Sequence, residues 1–252
     1  MPIPRVIPCL LLQGRKLVKT VRFKKPTYVG DPINTVRIFN EKEVDELVFL
    51  DIGATVGEKP PQAELIAEIA RECFMPFAYG GGLRTIDHVQ TALANGAEKV
   101  VLNSVLHENP GLVREAADRF GSQSIVGSID VRTGWRGKQR VVTRCGTKKT
   151  EYAPVAFAKQ LEDAGVGELL ITSIDQDGTF EGYDLELIQT VSDAVEVPVV
   201  ACGGAGVLDD VQRAVVEGGA DAAGAGSLFV FQNKNRSVLI NYPRREKLDE
   251  LF

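Results

Sequence analysis

The sequence predicts an α/β protein: one closed (β/α)8 TIM barrel over residues 1–252, assembled from two duplicated halves at about 1–120 and 121–252. Short apolar runs recur roughly every 30 residues and alternate with amphipathic windows, the pattern of parallel strands joined by helices. The second half repeats the first, because "AYGGGLRTIDHVQTALANGAEKVVLNSVL" lies against "ACGGAGVLDDVQRAVVEGGADAAGAGSLF" with Val89-Gln90 on Val211-Gln212, 122 positions apart. At 252 residues, 44% of them hydrophobic, the chain is long enough to close such a barrel around a large core.

Taken in order, "RVIPCLL" from Arg5 is the first strand, since it is apolar and too short to span a membrane. "ELVFLDI" and "MPFAY" are the next two strands, joined by the helical window "AELIAEIAREC". "IDHVQTALANG" leads to the fourth strand, "KVVLN", and "GLVREAADRFG" leads to the fifth, "SIVGSID". "APVAFAKQLEDAG", "DLELIQTVSDA" and "LDDVQRAVVEGG" precede "ELLITS", "VPVVAC" and the Gly/Ala-rich "ADAAGAG". Several of these windows close on glycine, as helix C-termini do. "ELVFLDI" matches "ELLITSI" at the same offset of 122, and "VIPCLLL" matches "IVGSIDV" at 119, which sets Leu11 opposite Asp130 in the repeat.

The formal net charge of -5 speaks against a nucleic-acid partner, as only the short "FKKP" and "TKKT" segments are basic. Four cysteines, Cys9, Cys73, Cys145 and Cys202, are scattered without ligand spacing, so neither a disulfide framework nor a metal site is expected. No cofactor is expected either. Reduced thiols and the lack of a cleavable leader place the chain in the cytoplasm, with no membrane partner. The two histidines, His88 and His107, stand beside no Ser or Cys nucleophile in sequence, so acid-base work falls to carboxylates.

Functional groups of such barrels collect at the C-terminal ends of the strands. Gly80-Gly81-Gly82 and Gly203-Gly204-Ala205-Gly206 follow the third and seventh strands and lead into helices, and glycine lets the backbone approach an anion closely. Each is matched in the next unit by a polar strand end, Asn103-Ser104 or Gly226-Ser227. Two such sites across one mouth suit a long ligand with a phosphate at each end. The sixth strand runs into an acidic turn carrying Asp175, Asp177, Gly178 and Thr179 at the same rim. At the opposite end Arg5, Glu46, Lys99 and Glu168 begin strands one, two, four and six with inward parity, so two cations and two anions can close a ring.

"RVIPCL", "KTVRFK", "GDPI", "DELVFLDI", "YGGGLRT", "FGSQSIVGSID", "TSIDQDGT", "GYDLELI" and "ACGGAG" together resemble the cyclase subunit of imidazole glycerol phosphate synthase, over almost the whole chain. The resemblance implies a lyase-type barrel that receives ammonia from a glutaminase and closes an imidazole ring on a bis-phosphorylated ribulosyl intermediate, using one aspartate on the first strand and one on the fifth. Carried over, the fifth-strand catalytic group is Asp130, while the first-strand position holds Leu11. The phosphate-binding groups are Gly82, Asn103 and Ser104 in one half and Asp177, Gly178, Gly204, Gly226 and Ser227 in the other. The ring of Arg5, Glu46, Lys99 and Glu168 is the ammonia gate, and the glutaminase docks on that N-terminal face, near Glu98.

"CLLL" and "INYP" resemble a divergent branch associated with sugar amidation in surface polysaccharides, in which a third, sugar-modifying amidotransferase takes the ammonia. Three functions therefore compete: an ammonia-conducting barrel for acetamidino-sugar formation, a cyclase of histidine biosynthesis, and an inert barrel that activates its glutaminase. Leu11 separates the second from the others.

Overall fold

The computed structural model describes residues 4–252. β1 (Arg5–Gln13) rises through the barrel and turns back into an antiparallel hairpin, β2 (Lys16–Val21) and β3 (Lys24–Gly30). α1 (Pro32–Glu41) leads to β4 (Leu47–Asp51), α2 (Ala63–Glu72) to β5 (Phe77–Gly80), and α3 (Ile86–Ala94) to β6 (Lys99–Leu102). A short α4 (Val105–Glu108) and α5 (Gly111–Phe120) precede β7 (Ile125–Thr133), which folds back into β8 (Gln139–Thr143) and β9 (Lys148–Lys149). The circuit finishes with α6 (Pro154–Ala164), β10 (Glu168–Ser173), α7 (Leu185–Ser192), β11 (Val199–Cys202), α8 (Leu208–Val216), β12 (Ala222–Ala225), α9 (Ser227–Val230) and α10 (Arg245–Asp249).

Eight strands, β1, β4, β5, β6, β7, β10, β11 and β12, pair in parallel, and β12 closes on β1 with Ile7 opposite Gly224. This is the predicted (β/α)8 barrel. The likeness between the two parts of the chain extends further than the aligned motifs, because β1 and β7 each continue past the barrel into a hairpin. These hairpins, and α1, are elements that the apolar periodicity did not single out. α1 is nonetheless well marked locally: Pro32 begins it, and the Asp31 carboxylate caps it by accepting from Asn34 N at 2.9 Å.

Strand alternation splits the core in two. Val6, Leu10, Leu12, Phe49, Phe77 and Tyr79 pack outward against the helices, whereas Ile7, Cys9, Val48, Ala78, Val101, Val126, Leu170, Val200 and Ala222 fill the bore. The outer layer buries the larger side chains and carries most of the hydrophobic stabilisation. The inner one is a narrow apolar column.

Candidate functional site

The C-terminal ends of the strands enclose a cavity of about 150 Å³. Asp130, from β7, lines it and is 8% exposed. Burial pushes its carboxyl up to about 7, further raised by the charge of Asp177, while a 3.0 Å hydrogen bond donated by Asn103 Nδ2 holds it down. A carboxyl poised near neutrality both gives and takes a proton, as general acid-base work requires. Leu11, from β1, lines the same cavity and offers no titratable group.

All eight residues expected to hold phosphate line this cavity: Gly82, Asn103, Ser104, Asp177, Gly178, Gly204, Gly226 and Ser227. The glycine turns are dictated by space. At Gly81, with φ +114, a Cβ would lie 2.4 Å from the Asp51 carbonyl oxygen, and at Gly204, with φ +126, 2.0 Å from that of Gly182. One expected residue plays a different part from a donor. The Asp177 carboxylate accepts from Lys19 Nζ at 2.7 Å and from Thr20 Oγ1 at 3.2 Å, and its own N–H is bonded to Ser173 O. The group that this corner can offer an anion is therefore the Lys19 ammonium, from β2.

Sequence reasoning singled out neither Lys19 nor Arg84 nor Asp51 as site residues. Lys19 is only 4% exposed, in a hairpin that the periodicity does not reveal. Arg84 directly follows the first glycine turn, and its Nη2 is buried without a partner. In the other half Ser227 Oγ is likewise buried and unbonded. Buried polar groups are nearly always satisfied, so two orphan donors lining one cavity, one in each half, point to ligand groups that complete them. Asp51, at the end of β4, is held by Gly53 N, Ala54 N and Gln62 Nε2 at 3.0, 3.1 and 2.7 Å, and burial raises its pKa. The histidines lie elsewhere: His88 Nδ1 accepts from Arg84 N, and His107 stacks on Phe157 with centroids 4.3 Å apart.

At the other end of the bore the four expected gate residues do meet. Arg5 bridges Glu46 and Glu168, and Lys99 Nζ bridges the same two carboxylates at 2.8 and 2.9 Å. The ring is closed, with Glu46 and Glu168 buried and the cations partly exposed. Immediately above it, both glutamates and Ile7, Val48, Ala78, Val101, Val126, Leu170 and Val200 surround a gap of about 10 Å³. A gap of this size is at the lower limit of what admits one water-sized molecule. Among the described residues no helix is long and apolar enough to cross a membrane.

The family profile described as histidine biosynthesis protein matches residues 5–235. A Pseudomonas aeruginosa protein provisionally named imidazole glycerol phosphate synthase subunit hisF2 is 52% identical over 245 residues, covering 97% of this chain and 98% of that one. A Leptospira interrogans protein, also provisionally named as subunit HisF, is 44% identical over 250 residues, covering 99% and 98% of the two chains. The imidazole glycerol phosphate synthase subunit HisF of Alkaliphilus metalliredigens is 41% identical over 225 residues, 89% of each chain. With this barrel, this ring and this mouth, the chain belongs to the histidine biosynthesis protein family and, within it, to the HisF-type cyclase subunits of imidazole glycerol phosphate synthase-type glutamine amidotransferase systems.

Proposed function

We propose that this chain takes ammonia from a glutaminase docked on its N-terminal face, passes it through the ring of Arg5, Glu46, Lys99 and Glu168, and releases it at the mouth beside Asp130. One observation carries this reading: a closed ion-pair ring at one end of an apolar bore, with a small gap above it and a buried acid at the other end. An apolar column keeps ammonia unprotonated in transit, since an ammonium ion pays a large desolvation cost there. The mouth holds a phosphorylated, sugar-type ligand, supported by the glycine turns, Lys19, and the orphan donors of Arg84 and Ser227.

The acceptor in this reading is a sugar destined for a surface polysaccharide, amidated with the help of a third protein. Its support is Leu11. Ring closure in the family uses two aspartates, and each acid-base group typically contributes about 10²- to 10⁴-fold. A second reading, an imidazole glycerol phosphate synthase activity as in the Alkaliphilus metalliredigens relative's name, is favoured by Asp130, whose carboxyl at about 7 can both give and take a proton near neutrality.

The deciding measurement supplies the purified protein with ammonium and the bis-phosphorylated ribulosyl intermediate. Turnover on the order of 1 s⁻¹ or faster establishes ring closure and removes the sugar-amidation reading. Turnover slower by two or more orders of magnitude, together with ammonia transfer in the complex with the glutaminase, supports it.

A further inference from the structure

The two hairpins that leave the barrel carry an unusual charge pattern. Residues 14–30 and 132–149 together hold 13 of the chain's 29 lysines and arginines and none of its 34 aspartates and glutamates. The rest of the protein keeps 16 cations against all 34 carboxylates, so it is strongly acidic around a basic rim. Of the 13 cations, Arg15, Lys19 and Arg144 pair with carboxylates, of Glu68, Asp177 and Glu108; among the described residues the other ten have no such partner.

In sequence these segments are a hundred residues apart, but the fold joins them. Arg22 N and Nε donate to the Asp177 and Asp175 carbonyls at 2.8 and 2.9 Å, while the Asp175 carboxylate accepts from Thr133 N at 2.7 Å. One loop thus holds both hairpins. Their turns approach each other as well: Arg132 Nη1 fixes the second by donating to Gly146 O at 3.0 Å, and a Cβ on Gly146 would lie 3.4 Å from Phe23 Cδ2 of the first. Phe23, Arg144 and Cys145 line the cavity, and the exposed Lys24, Lys25, Lys148 and Lys149 stand within a few residues of them.

We infer that the two hairpins form a single electrostatic collar that captures ligands carrying at least two phosphate groups and sets their rate of entry into the mouth. A rim with an excess of one sign of charge concentrates field lines and raises association rates of oppositely charged ligands by about 10- to 10³-fold, and here it stands over a cavity whose lining also includes Asp51, Glu108, Asp130 and Asp177. The inference rests on the proposed phosphorylated-ligand reading of the cavity and adds the route by which that ligand arrives. The glycine turns and orphan donors hold the ligand once seated; the collar acts before seating, so its signature is in association rather than dissociation.

The test uses the whole protein and ribulose bisphosphate as probe, with both rate constants taken from phosphorus NMR line shapes. The wild-type association rate constant should fall about tenfold or more between about 10 mM and 150 mM salt, as the Debye length contracts from about 30 to 8 Å. At low salt K24E/K25E/K148E/K149E should associate about tenfold or more slowly, with dissociation changed less than twofold. K42E/R71E/K159E/K247E, with the same net charge change on exposed positions outside the hairpins, should associate like wild type. Association by the collar variant within twofold of wild type, equal slowing by both variants, an effect confined to dissociation, or a salt-independent wild-type rate would each overturn the collar while leaving the ligand reading intact. Failure of wild type to bind the probe at all removes the ligand reading, and the collar with it.

Discussion

Lys19 and Asp177, 158 residues apart in the chain, form a 2.7 Å ion pair inside the barrel mouth, where Lys19 is 4% and Asp177 7% exposed. Removing one partner leaves the other buried and uncompensated, which costs about 3 to 5 kcal/mol. Lys19→Met should therefore destabilise the protein by that order in denaturant melts. Lys19→Met with Asp177→Asn should regain most of the stability and still bind a bis-phosphorylated ligand weakly. Recovery of binding in the double variant would show that Lys19 positions Asp177 and contributes nothing to the anion.

Asp130 makes stability fall as pH rises. Its carboxyl is pushed up to about 7 by burial, from an ordinary 3.8, so between those values the folded state binds more protons than the unfolded one. The stability it contributes is present below the unfolded pKa and is lost as pH climbs through 7. Asp130→Asn should flatten this part of the curve and gain on wild type with pH, by up to about 4 kcal/mol above neutrality. Parallel wild-type and variant curves across this range would mean that the carboxyl titrates normally.

Ser227 offers a cleaner test of the anion site, because its Oγ is buried with no partner. Ser227→Ala should leave the free protein as stable or up to about 1 kcal/mol more so, since an unsatisfied buried hydroxyl is a cost. The same change should weaken ribulose bisphosphate binding about tenfold, one charge-assisted hydrogen bond. Calorimetric titration beside a thermal melt reads both. Unchanged affinity would place the phosphate elsewhere.

Leu11→Asp restores a carboxylate to the β1 end of the cavity that Asp130 lines from β7. Ammonia-dependent ring closure should then rise by about 10²-fold or more. An unchanged rate, in a variant that still binds the ribulosyl intermediate, would mean that Leu11 is not what limits this chemistry.

Lys99 bridges both glutamates of the ring. Lys99→Ala leaves Glu46 and Glu168 to Arg5 alone and should cost about 1 to 3 kcal/mol, between the values for exposed and buried pairs. In the assembled complex with the glutaminase, more glutamate should form than ammonia reaches the acceptor. Equal stoichiometry in variant and wild type would reduce the ring to a structural clasp. The same complex should crosslink through Glu98, on the ring's face of the barrel, and not through the loops of Gly82 and Gly204.

Much of this was legible in the chain itself. Apolar period and glycine runs depend on neighbours a few residues away and set the eight strands and the two glycine turns, while comparison of segments 119 and 122 positions apart in the chain set the repeat and the contrast of Leu11 with Asp130. Inward parity turned Arg5, Glu46, Lys99 and Glu168 toward the bore, because strand alternation is rigid, and the family resemblance joined the four into one ring. The hairpins β2–β3 and β8–β9 were not visible, since their lysines and arginines mask a strand pattern whose inner face is buried only after the barrel closes. Nor could the sequence show that Lys19 belongs to Asp177, that Arg84 and Ser227 end unpaired, or that the two basic hairpins share one rim. Those are distances between residues far apart in the chain. The proton affinity of Asp130 belongs with them, because desolvation is supplied by everything packed around a carboxyl and none of it by its place in the sequence.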